Sequence, residues 1–339
     1  MKVTVVIPNY NGQKFIKPCL DSLRLQNYKD FEVLVIDNAS SDGSYEYIKD
    51  NYKEVKLVRL KQNYGFSAAV NKGISMSGTP YVILLNNDTE SDPDFVGELV
   101  KAIEQSDDIF SVSSKMINYN DRTLMDDAGD LYSIMGWGFQ QGVGQNTQNY
   151  TKDREVFSAC AGAAIYRKSI FDKIGMFDLK HFAYLEDMDV GYRARIHGYR
   201  NTFCASALVY HVGSGTSGSK YNSFKVKLAA RNNIYLIYKN MPLLQFIINM
   251  PFLTIGFLIK YLFFVKLGYG EDYKEGFIEG IKKMHTLKKV KYKEEFLQNY
   301  INIEKEMIKG TFIYVKDYFS RHMEIKTFVL EDIINNIKK

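Results

Sequence analysis

Short apolar runs alternate with longer segments of mixed polarity over the first ninety residues. The runs cover Val3–Ile7, Phe31–Ile36, Val55–Leu60 and Tyr81–Leu85. Continuous runs of this length, rich in Val and Ile, are typical of strands buried on both faces of a parallel sheet. The segments between them cover Gln13–Gln26, Gly43–Asp50 and Ser67–Ser75 and are long enough for crossover helices. The pattern predicts a βαβαβαβ order, which is an α/β, Rossmann-like fold with a mostly parallel central sheet flanked by helices.

The rest of the chain divides into an irregular, a mixed and a helical part. Residues 115–155 are rich in Asn, Gln, Gly and Tyr and contain Trp137, which favours loops or a hairpin over a ligand site. An apolar run follows at 156–166, then helices at 168–173 and 186–197, strand-like pieces at 200–204 and 207–211, and a Gly/Ser-rich stretch at 213–218. Beyond Tyr221 the pattern is helical. We therefore place a boundary near 220, between a domain of residues 1–220 and a helical region of residues 221–339.

Composition narrows the class of protein. The 339 residues are 46% hydrophobic and 24% charged, which is ordinary for a globular chain and excludes a disordered or collagen-like one. Three scattered cysteines are too few for a disulfide framework or a zinc cluster, and Met1 leads directly into an apolar strand without a signal-peptide layout. We expect a cytoplasmic protein.

The positive charge is concentrated in one segment. Residues 220–293 contain 14 Lys and Arg against 4 Asp and Glu, and they include the uncharged stretch Asn240–Ile259. Gln245, Asn249 and Pro251 interrupt that stretch, so we expect helices that rest on the inner face of the cell membrane without crossing it. Nucleic-acid binding is not expected. The alternative is that Phe252, Phe257, Tyr261 and Phe264 bury against the first domain or in a homodimer.

Polar residues follow each predicted strand, where a sheet of this kind binds its ligands. They are Pro8-Asn-Tyr-Asn-Gly12, Asp37-Asn-Ala-Ser40, Gln62-Asn-Tyr-Gly65 and Asn86-Asn-Asp-Thr89. The sequence contains neither GxGxxG nor GxxxxGK[ST], which argues against a dinucleotide oxidoreductase and a P-loop NTPase. A base, a ribose and a metal-held diphosphate remain compatible with these residues.

Five motifs carry a resemblance to a known family. They are Val5-Val-Ile-Pro-Asn-Tyr-Asn-Gly12, Val35-Ile-Asp-Asn-Ala-Ser-Ser-Asp-Gly43, Asn63-Tyr-Gly-Phe-Ser-Ala-Ala-Val-Asn-Lys-Gly73, Leu84-Leu-Asn-Asn-Asp-Thr89, and Glu186-Asp-Met-Asp189 with Arg193. Together the motifs resemble family 2 glycosyltransferases with a GT-A fold, most closely the bacterial rhamnosyltransferase-like branch. The resemblance covers about residues 1–240 and does not extend to the C-terminal hundred residues.

The resemblance implies a site for the nucleotide of a sugar donor. Asp37 would accept a hydrogen bond from the imide N–H of a pyrimidine, although a strand-end Asp also serves as a turn cap. The other implied nucleotide-binding residues are Pro8, Asn9, Tyr10, Asn11, Asn38, Asn63, Gly65, Asn71, Lys72, Asn87, Arg231 and Asn232. Of these, Arg231 and Asn232 would close over the diphosphate.

The resemblance also implies a divalent cation, Mg²⁺ or Mn²⁺. Asn86-Asn87-Asp88 stands where the family has its Asp-X-Asp motif, which makes Asp88 the expected ligand. Asn86 replaces the first acid of that motif. His211, at the end of a predicted strand, is the third candidate, although a lone histidine is usually structural.

The family's Glu-Asp motif places the catalytic base on Asp187, with Glu186 as its neighbour. An inverting transferase needs an ionised carboxylate to remove the proton of the acceptor hydroxyl, and a helix N-terminus keeps carboxylates ionised. Seen alone, acids in a first turn are more often caps. Asp189, two residues on, is predicted to pair with Arg193 at i+4.

These residues favour an inverting, metal-dependent transferase that moves a sugar, with rhamnose as one option, from a nucleotide diphosphate to a glycan or lipid-linked glycan in cell-surface polysaccharide synthesis. The first alternative is a catalytically silent scaffold of the same fold, used for binding or assembly. A sugar nucleotidyltransferase would need a Gly- and Arg-rich loop after the first strand, and Asn9-Tyr10-Asn11-Gly12 is not such a loop.

Overall fold

The first half of the chain forms the predicted alternation of strands and helices. The computed structural model describes residues 1–213 and 221–337, so most of the Gly/Ser-rich stretch at 213–218 lies outside the described residues. The elements are β1 (Val3–Asn9), α1 (Ile16–Arg24), β2 (Phe31–Asp37), α2 (Ser44–Asn51), β3 (Lys56–Arg59), α3 (Phe66–Met76) and β4 (Tyr81–Leu85). Strand β1 pairs in parallel with β2 and β4, and β2 pairs in parallel with β3.

The second half extends the same sheet with strands of both directions. Its elements are β5 (Thr89–Ser91), α4 (Phe95–Ile103), β6 (Ile109–Asn118), β7 (Met125–Asp127), β8 (Asp130–Tyr132), β9 (Gly138–Gln140), β10 (Arg154–Val156), β11 (Ala163–Arg167), α5 (Lys168–Ile174), α6 (Glu186–Ile196) and β12 (Arg200–His211). The main sheet has the order β10-β12-β6-β11-β4-β1-β2-β3. Strand β11 is antiparallel to β4 and β6, whereas β6 and β12 are parallel.

Two expectations about this half are corrected. Strand β6 was not expected, because Ser111, Ser113, Ser114 and Lys115 are polar although the structure buries them. The two strand-like pieces at 200–204 and 207–211 form one strand, β12. Its pairing with β6 shifts register between Cys204 and Leu208, and this irregularity interrupts the apolar pattern.

The sheet has an apolar core on each face. Val5 and Ile7 of β1 pack with α1 and α4 on one side, and Val6 packs with α3, α5 and α6 on the other. Successive side chains of a strand point to opposite faces, so one continuous apolar run serves both cores. The strand ends are therefore held from both sides.

Four α-helices follow residue 221 in the described part of the chain. They are α7 (Ser223–Asn240), α8 (Leu243–Lys266), α9 (Gly270–Lys283) and α10 (Leu297–Ile337). Three of them, α7, α8 and α10, complete a third core. Leu236, Leu253 and Met307 from these helices pack against Tyr132 of β8 and Met188 of α6. The C-terminal helices thus share a core with the helix that carries the predicted base.

Helix α8 exposes a large apolar surface. By length and composition alone it could cross a membrane, with a mean hydropathy of 1.7 in an 18-residue window of which 17% is buried. Gln245 and Asn249 on its inner side donate hydrogen bonds to Glu304 of α10. Phe257, Tyr261 and Phe264 pack inward against neighbouring elements, whereas Phe252 is exposed. One side of α8 is therefore occupied by protein, and the other faces outward.

Candidate active site

Asn9, at the end of β1, links three strand ends through buried hydrogen bonds. Its Nδ2 donates to Oδ1 of Asp37 at 2.9 Å, to Oγ of Ser44 at 3.0 Å and to Oγ of Ser40 at 3.2 Å. Its Oδ1 accepts from Nδ2 of Asn87 at 2.8 Å. Asn9, Asp37 and Asn87 are all buried. They hold the carboxyl ends of β1, β2 and β4 together, where the strand pattern placed a ligand.

Asp37 is fully buried and also bound from its own turn. Its Oδ2 accepts from the backbone N–H of Ser40 at 3.0 Å and lies 3.6 Å from Nε of Arg59. Arg59 ends β3 and was missed by the sequence analysis, although inspecting every strand end would have found it. The pyrimidine contact of Asp37 stays a prediction, because its visible partners are those of a turn cap.

Asn38, Asn63 and Gly65 shape the loop that follows β3. Asn38 accepts from the backbone N–H of Tyr64 at 3.1 Å and donates to the carbonyl of Gly65 at 3.0 Å, while Asn63 accepts from the N–H of Gly65 at 2.9 Å. Gly65 has a φ of +86°, and a Cβ there would lie 2.6 Å from Phe182. This loop therefore packs directly against the segment that leads into α6.

Pro8, Tyr10 and Asn11 line the mouth of the strand ends. Pro8 is half-buried, and Tyr10 is 37% exposed. Asn11 accepts a hydrogen bond from the backbone N–H of Ser41 at 2.9 Å. Of Pro8 and Tyr10, which the resemblance places beside the base of the nucleotide, Tyr10 is therefore the more accessible to a ligand.

Asn71 and Lys72 lie on α3 and differ in their surroundings. Asn71 donates to the carbonyl of Phe177 at 2.7 Å and accepts from its N–H at 3.1 Å. Both polar ends of that amide are therefore used inside the protein. Lys72 is exposed. Their roles toward a nucleotide stay predictions.

Asp88 and His211 meet as the resemblance implies. Nε2 of His211 lies 3.2 Å from Oδ1 of Asp88, and Nδ1 of His211 lies 2.7 Å from Oδ2 of Asp126. Burial opposes protonation of His211, but the hydrogen bonds to Asp126 and Asp88 outweigh it and raise the pKa of His211 to about 10. Asn86 is half-buried beside Gly162. Asp126, which orients the imidazole, was missed by the sequence analysis.

Asp187 lies at the start of α6 and receives two backbone hydrogen bonds. The N–H of Met188 donates to its Oδ1 at 2.8 Å, and the N–H of Ala161 donates to its Oδ2 at 3.2 Å. Burial raises the pKa of the Asp187 carboxyl, while these two donors oppose that shift by stabilising the ionised form. Its side chain remains partly accessible.

Further acidic groups and a thiol surround Asp187. Ligand atoms of Asp127, Asp130 and Cys160 lie within 4.8 Å of one another. Burial raises the pKa of Asp127 to about 7, and burial together with the charges of Asp127, Asp187 and Glu186 raises the pKa of Asp130 well above its usual range. Among the described residues, nothing donates a hydrogen bond to the buried Oε2 of Glu186.

The different surroundings of these acidic residues suit them to different roles. Asp187 has two N–H donors and a helix N-terminus, so it ionises more readily than the unsupported Glu186 beside it. Asp126 and Asp127 are neighbours on the short strand β7, where Asp126 binds His211 and Asp127 belongs to the acidic group near Asp187. Strand β7 therefore connects the two halves of the site.

The loop before α6 has an unusual backbone that α7 holds in place. Phe182, Tyr184 and Leu185 have positive φ angles of 64°, 71° and 65°. Nδ2 of Asn232 lies within hydrogen-bond distance of the carbonyls of residues 181, 183 and 184, at 2.9, 2.8 and 2.8 Å. Nη2 of Arg231 donates to the carbonyls of residues 180 and 181 at 3.1 and 3.0 Å.

Arg231 and Asn232 therefore have partners within the protein. Asn232 is fully buried, and Arg231 also approaches Glu279 at 3.5 Å. Their predicted contact with the diphosphate stays a prediction, and the role visible in the structure is to hold the loop that presents Glu186 and Asp187.

Asp189 has a structural role. It pairs with Arg193 at 2.9 Å, as the i+4 spacing predicted, and with Lys239 at 2.9 Å, and it accepts from Asn240 at 2.9 Å. The charges of Arg193 and Lys239 overcome the effect of burial and hold the pKa of Asp189 far below its usual range. This buried network locks α6 to α7.

Comparison with known proteins identifies the fold and the family. A crystal structure of GalNAc-T7 with UDP, GalNAc and Mn²⁺ matches with a TM-score of 0.55 at 17% identity, over 70% of this chain and 47% of that one. The chain is 27% identical to glycosyltransferase GlyA of Streptococcus pneumoniae over 52% of its own length and 26% of that protein. It is 25% identical to N-acetylglucosaminyl-diphospho-decaprenol L-rhamnosyltransferase of Mycobacterium tuberculosis, over 63% of this chain and 77% of that protein. Residues 4–175, just over half of the chain, match the family model described as glycosyl transferase family 2, and the chain belongs to that family.

Proposed function

We propose that this glycosyltransferase inverts configuration as it moves a sugar from a nucleotide diphosphate to a hydroxyl of a glycan or lipid-linked glycan, in cell-surface polysaccharide synthesis. The observation that carries the proposal is the environment of Asp187, which is a partly accessible carboxylate supported by two backbone N–H groups. Asp127 is fully buried and Oε2 of the adjacent Glu186 has no partner among the described residues, so Asp187 is the member of the group suited to accept a proton.

The proposed transfer is a single displacement at the anomeric carbon. An oxygen of Asp187 takes the proton of the acceptor hydroxyl while the oxygen of that hydroxyl attacks the anomeric carbon of the donor. The bond from the anomeric carbon to the diphosphate oxygen breaks on the opposite face, and the diphosphate leaves with its electron pair. Attack and departure on opposite faces invert the configuration.

The donor set near Asp88 fits a divalent cation. An octahedral ion with ligands at 2.0–2.1 Å brings adjacent ligand atoms to about 3 Å from each other, which matches Oδ1 of Asp88 and Nε2 of His211 at 3.2 Å. Asp126 on the other imidazole nitrogen is the usual partner of a metal-binding histidine. Asp88 and His211 would hold Mg²⁺ or Mn²⁺, with Asn86 nearby, and the ion would supply charge neutralisation for the leaving diphosphate.

The name of a relative supports the proposed acceptor, and the C-terminal helices support the proposed location. The name of the mycobacterial relative describes an acceptor sugar joined through a diphosphate to a lipid. Helix α8 presents exposed apolar residues on the side that the protein leaves open, and residues 220–293 are strongly basic. We therefore place the enzyme at the inner face of the cell membrane, with α8 lying in the lipid surface and the site near a lipid-linked acceptor.

A donor screen tests the function. Purified protein is incubated with dTDP-rhamnose and a set of UDP-sugars, with Mg²⁺ or Mn²⁺, and nucleotide release is measured with and without lipid-linked sugar acceptors. We expect acceptor-dependent release with one donor class and a product of inverted anomeric configuration by NMR. Turnover with no donor and acceptor pair, together with retained donor binding, would support the silent scaffold instead.

A further inference from the structure

A cavity of about 100 Å³ lies between α7, α8 and α9, next to the loop that presents Asp187. Its lining includes Lys260 of α8 and Tyr273 of α9, together with Leu185, Asn233 and Phe264. Leu185 directly precedes Glu186, so the cavity adjoins the catalytic segment from the side of the C-terminal helices.

The cavity presents two hydrogen-bond donors that lack acceptors. The hydroxyl of Tyr273 is buried without a partner among the described residues, and Tyr273 is 4% exposed. Lys260 makes no ion pair or hydrogen bond with any described residue, and its Nζ lies 5.9 Å from the centre of the Trp137 ring. Oδ1 of Asn233, which also lines the cavity, accepts from Tyr132 at 3.2 Å.

Unpaired donors of this kind are costly unless a ligand satisfies them. A buried hydroxyl without a partner destabilises the protein, and a half-buried ammonium without a counter-charge adds to that cost. Burial lowers the pKa of Lys260 to about 8, which is the response of a cation that lacks a counter-charge. A ligand that only accepts hydrogen bonds and carries negative charge would satisfy both groups.

We propose that Lys260 and Tyr273 bind the phosphate that joins the acceptor sugar to its lipid. This inference rests on the proposed function and adds the part of the acceptor that the enzyme recognises. Leu185 is two residues from Asp187, and two residues of extended chain span at most about 7 Å, a distance that one sugar ring bridges. An acceptor whose phosphate occupies the cavity can therefore present the hydroxyl of its sugar to Asp187.

The surface around Lys260 suits the lipid part of that molecule. Ile259, Leu262 and Phe263 next to it are 45%, 56% and 44% exposed. A chain attached to a phosphate in the cavity can run along this apolar side of α8 into the membrane. Sugar, phosphate and lipid then meet three adjacent parts of the protein: Asp187, the cavity and α8.

Vesicle binding without a donor sugar tests the inference. Vesicles of phosphatidylcholine carry either geranylgeranyl diphosphate or geranylgeraniol, which has the same chain without phosphate, in buffer with excess chelator so that no metal-bound diphosphate forms at Asp88. We expect the wild-type protein to bind the diphosphate vesicles at least about tenfold more tightly, since charge-assisted hydrogen bonds to phosphate contribute this much. Lys260→Gln and Tyr273→Phe should each remove most of that preference.

Matched variants and competitors separate the outcomes. Lys266→Gln changes an exposed lysine at the end of the same helix and should keep the preference. Tyr273→Phe retains the ring, which stacks on Phe264 at 5.3 Å, so its fold can be verified by thermal unfolding.

Equal binding to both vesicles, or an unchanged preference in Lys260→Gln, overturns the inference. The inference is also wrong if inorganic diphosphate or phosphatidylglycerol vesicles bind as tightly as the geranylgeranyl diphosphate vesicles and this binding depends on Lys260. That result would identify a site for free phosphate or for a lipid headgroup. Because no donor is present, these results stand whether or not turnover is found.

Discussion

Nδ2 of Asn232 donates a hydrogen bond to the backbone carbonyl of Tyr184 at 2.8 Å, across 48 residues of sequence. Tyr184 and Leu185 both have positive φ angles, which non-glycine residues adopt only at a cost in energy. The amide of Asn232, through this carbonyl and those of residues 181 and 183, holds the backbone that positions Asp187.

Asn232→Asp should therefore act on stability and turnover together. The substitution keeps the shape but replaces a donor by a carboxylate that faces three carbonyls. We expect the free energy of unfolding to fall by at least about 2 kcal/mol, because one carboxylate oxygen is then buried against the three carbonyls, although the other keeps the hydrogen bond from Nε of Arg231. We also expect kcat to fall with little change in the KM of the donor.

Chemical denaturation and steady-state kinetics measure both effects. Asn302→Asp, an exposed change on α10, is the matched control and should leave both unchanged. If Asn232→Asp instead raised the KM of the donor and left stability intact, Asn232 would contact the diphosphate as the sequence predicted, and the positioning role would be wrong.

The parts of the site predicted from sequence are those that follow long strands. Continuous apolar runs located β1, β2 and β4, and the first polar residues after them include Asn9, Asp37 and Asp88. Such runs identify buried strands because a strand that is covered on both faces needs an apolar residue at nearly every position. The alternation of parallel strands and helices followed from this pattern, and the position of a ligand site at the carboxyl ends of the strands was predicted from it.

The missed residues lie on short elements or depend on tertiary contacts. Strands β7 and β8 have three residues each, too few for a period to show, so Asp126, Asp127 and Asp130 had no predicted position. Arg231 and Asn232 were identified from the sequence as candidates, but only the packing of α7 against the loop before α6 shows that they bind its carbonyls. Lys260 was visible as a charge, but its cavity was not.

Asp187→Asn should abolish most turnover while preserving donor binding. Asparagine keeps the size and one of the two N–H contacts, because Met188 and Ala161 donate to different oxygens, but it cannot act as the base. We expect kcat to fall by at least about 10²-fold, the usual effect of losing a general base. Calorimetric titration with the donor nucleotide checks that binding is retained, and near-normal turnover would remove Asp187 from the mechanism.

The pH dependence of kcat should show an acid limb that belongs to Asp187. The base acts only when ionised, and burial raises its pKa, so activity falls as the pH drops through that raised value. The limb should therefore lie above the pKa of about 3.9 of an ordinary aspartate. Values of kcat measured in a buffer series of constant ionic strength give the pH at the midpoint of this limb. The limb should be missing from the residual activity of Asp187→Asn, and its persistence there would assign it to another group.

Sugar transfer should depend on a divalent cation that Asp88 and His211 bind. Excess chelator should abolish transfer, and Mg²⁺ or Mn²⁺ should restore it, since the leaving diphosphate needs charge neutralisation. Asp88→Ala should remove metal-dependent nucleotide binding. Asp126→Asn, which removes the carboxylate that orients His211 and raises its pKa, should weaken the apparent metal affinity by about 10–100-fold. Full activity in excess chelator would contradict the proposal.

Membrane attachment should depend on the outward side of α8. Ile247, Ile255 and Leu262 are 54%, 51% and 56% exposed, and changing all three to Gln removes apolar surface without disturbing the inner contacts. We expect flotation with anionic vesicles to fall more than about tenfold, since each such side chain contributes roughly 1.5 kcal/mol or more when it leaves water. High salt should weaken wild-type binding, because the basic segment adds a screened attraction.

Two exposed leucines on other surfaces provide the control. Leu25→Gln and Leu179→Gln, at positions 69% and 59% exposed, should leave flotation unchanged. A wild-type protein that binds no vesicles at low or high salt and forms a stable dimer would instead assign the apolar side of α8 to a subunit interface. The triple variant then distinguishes the two cases directly: in the first it remains a folded protein released from lipid, and in the second it becomes a monomer.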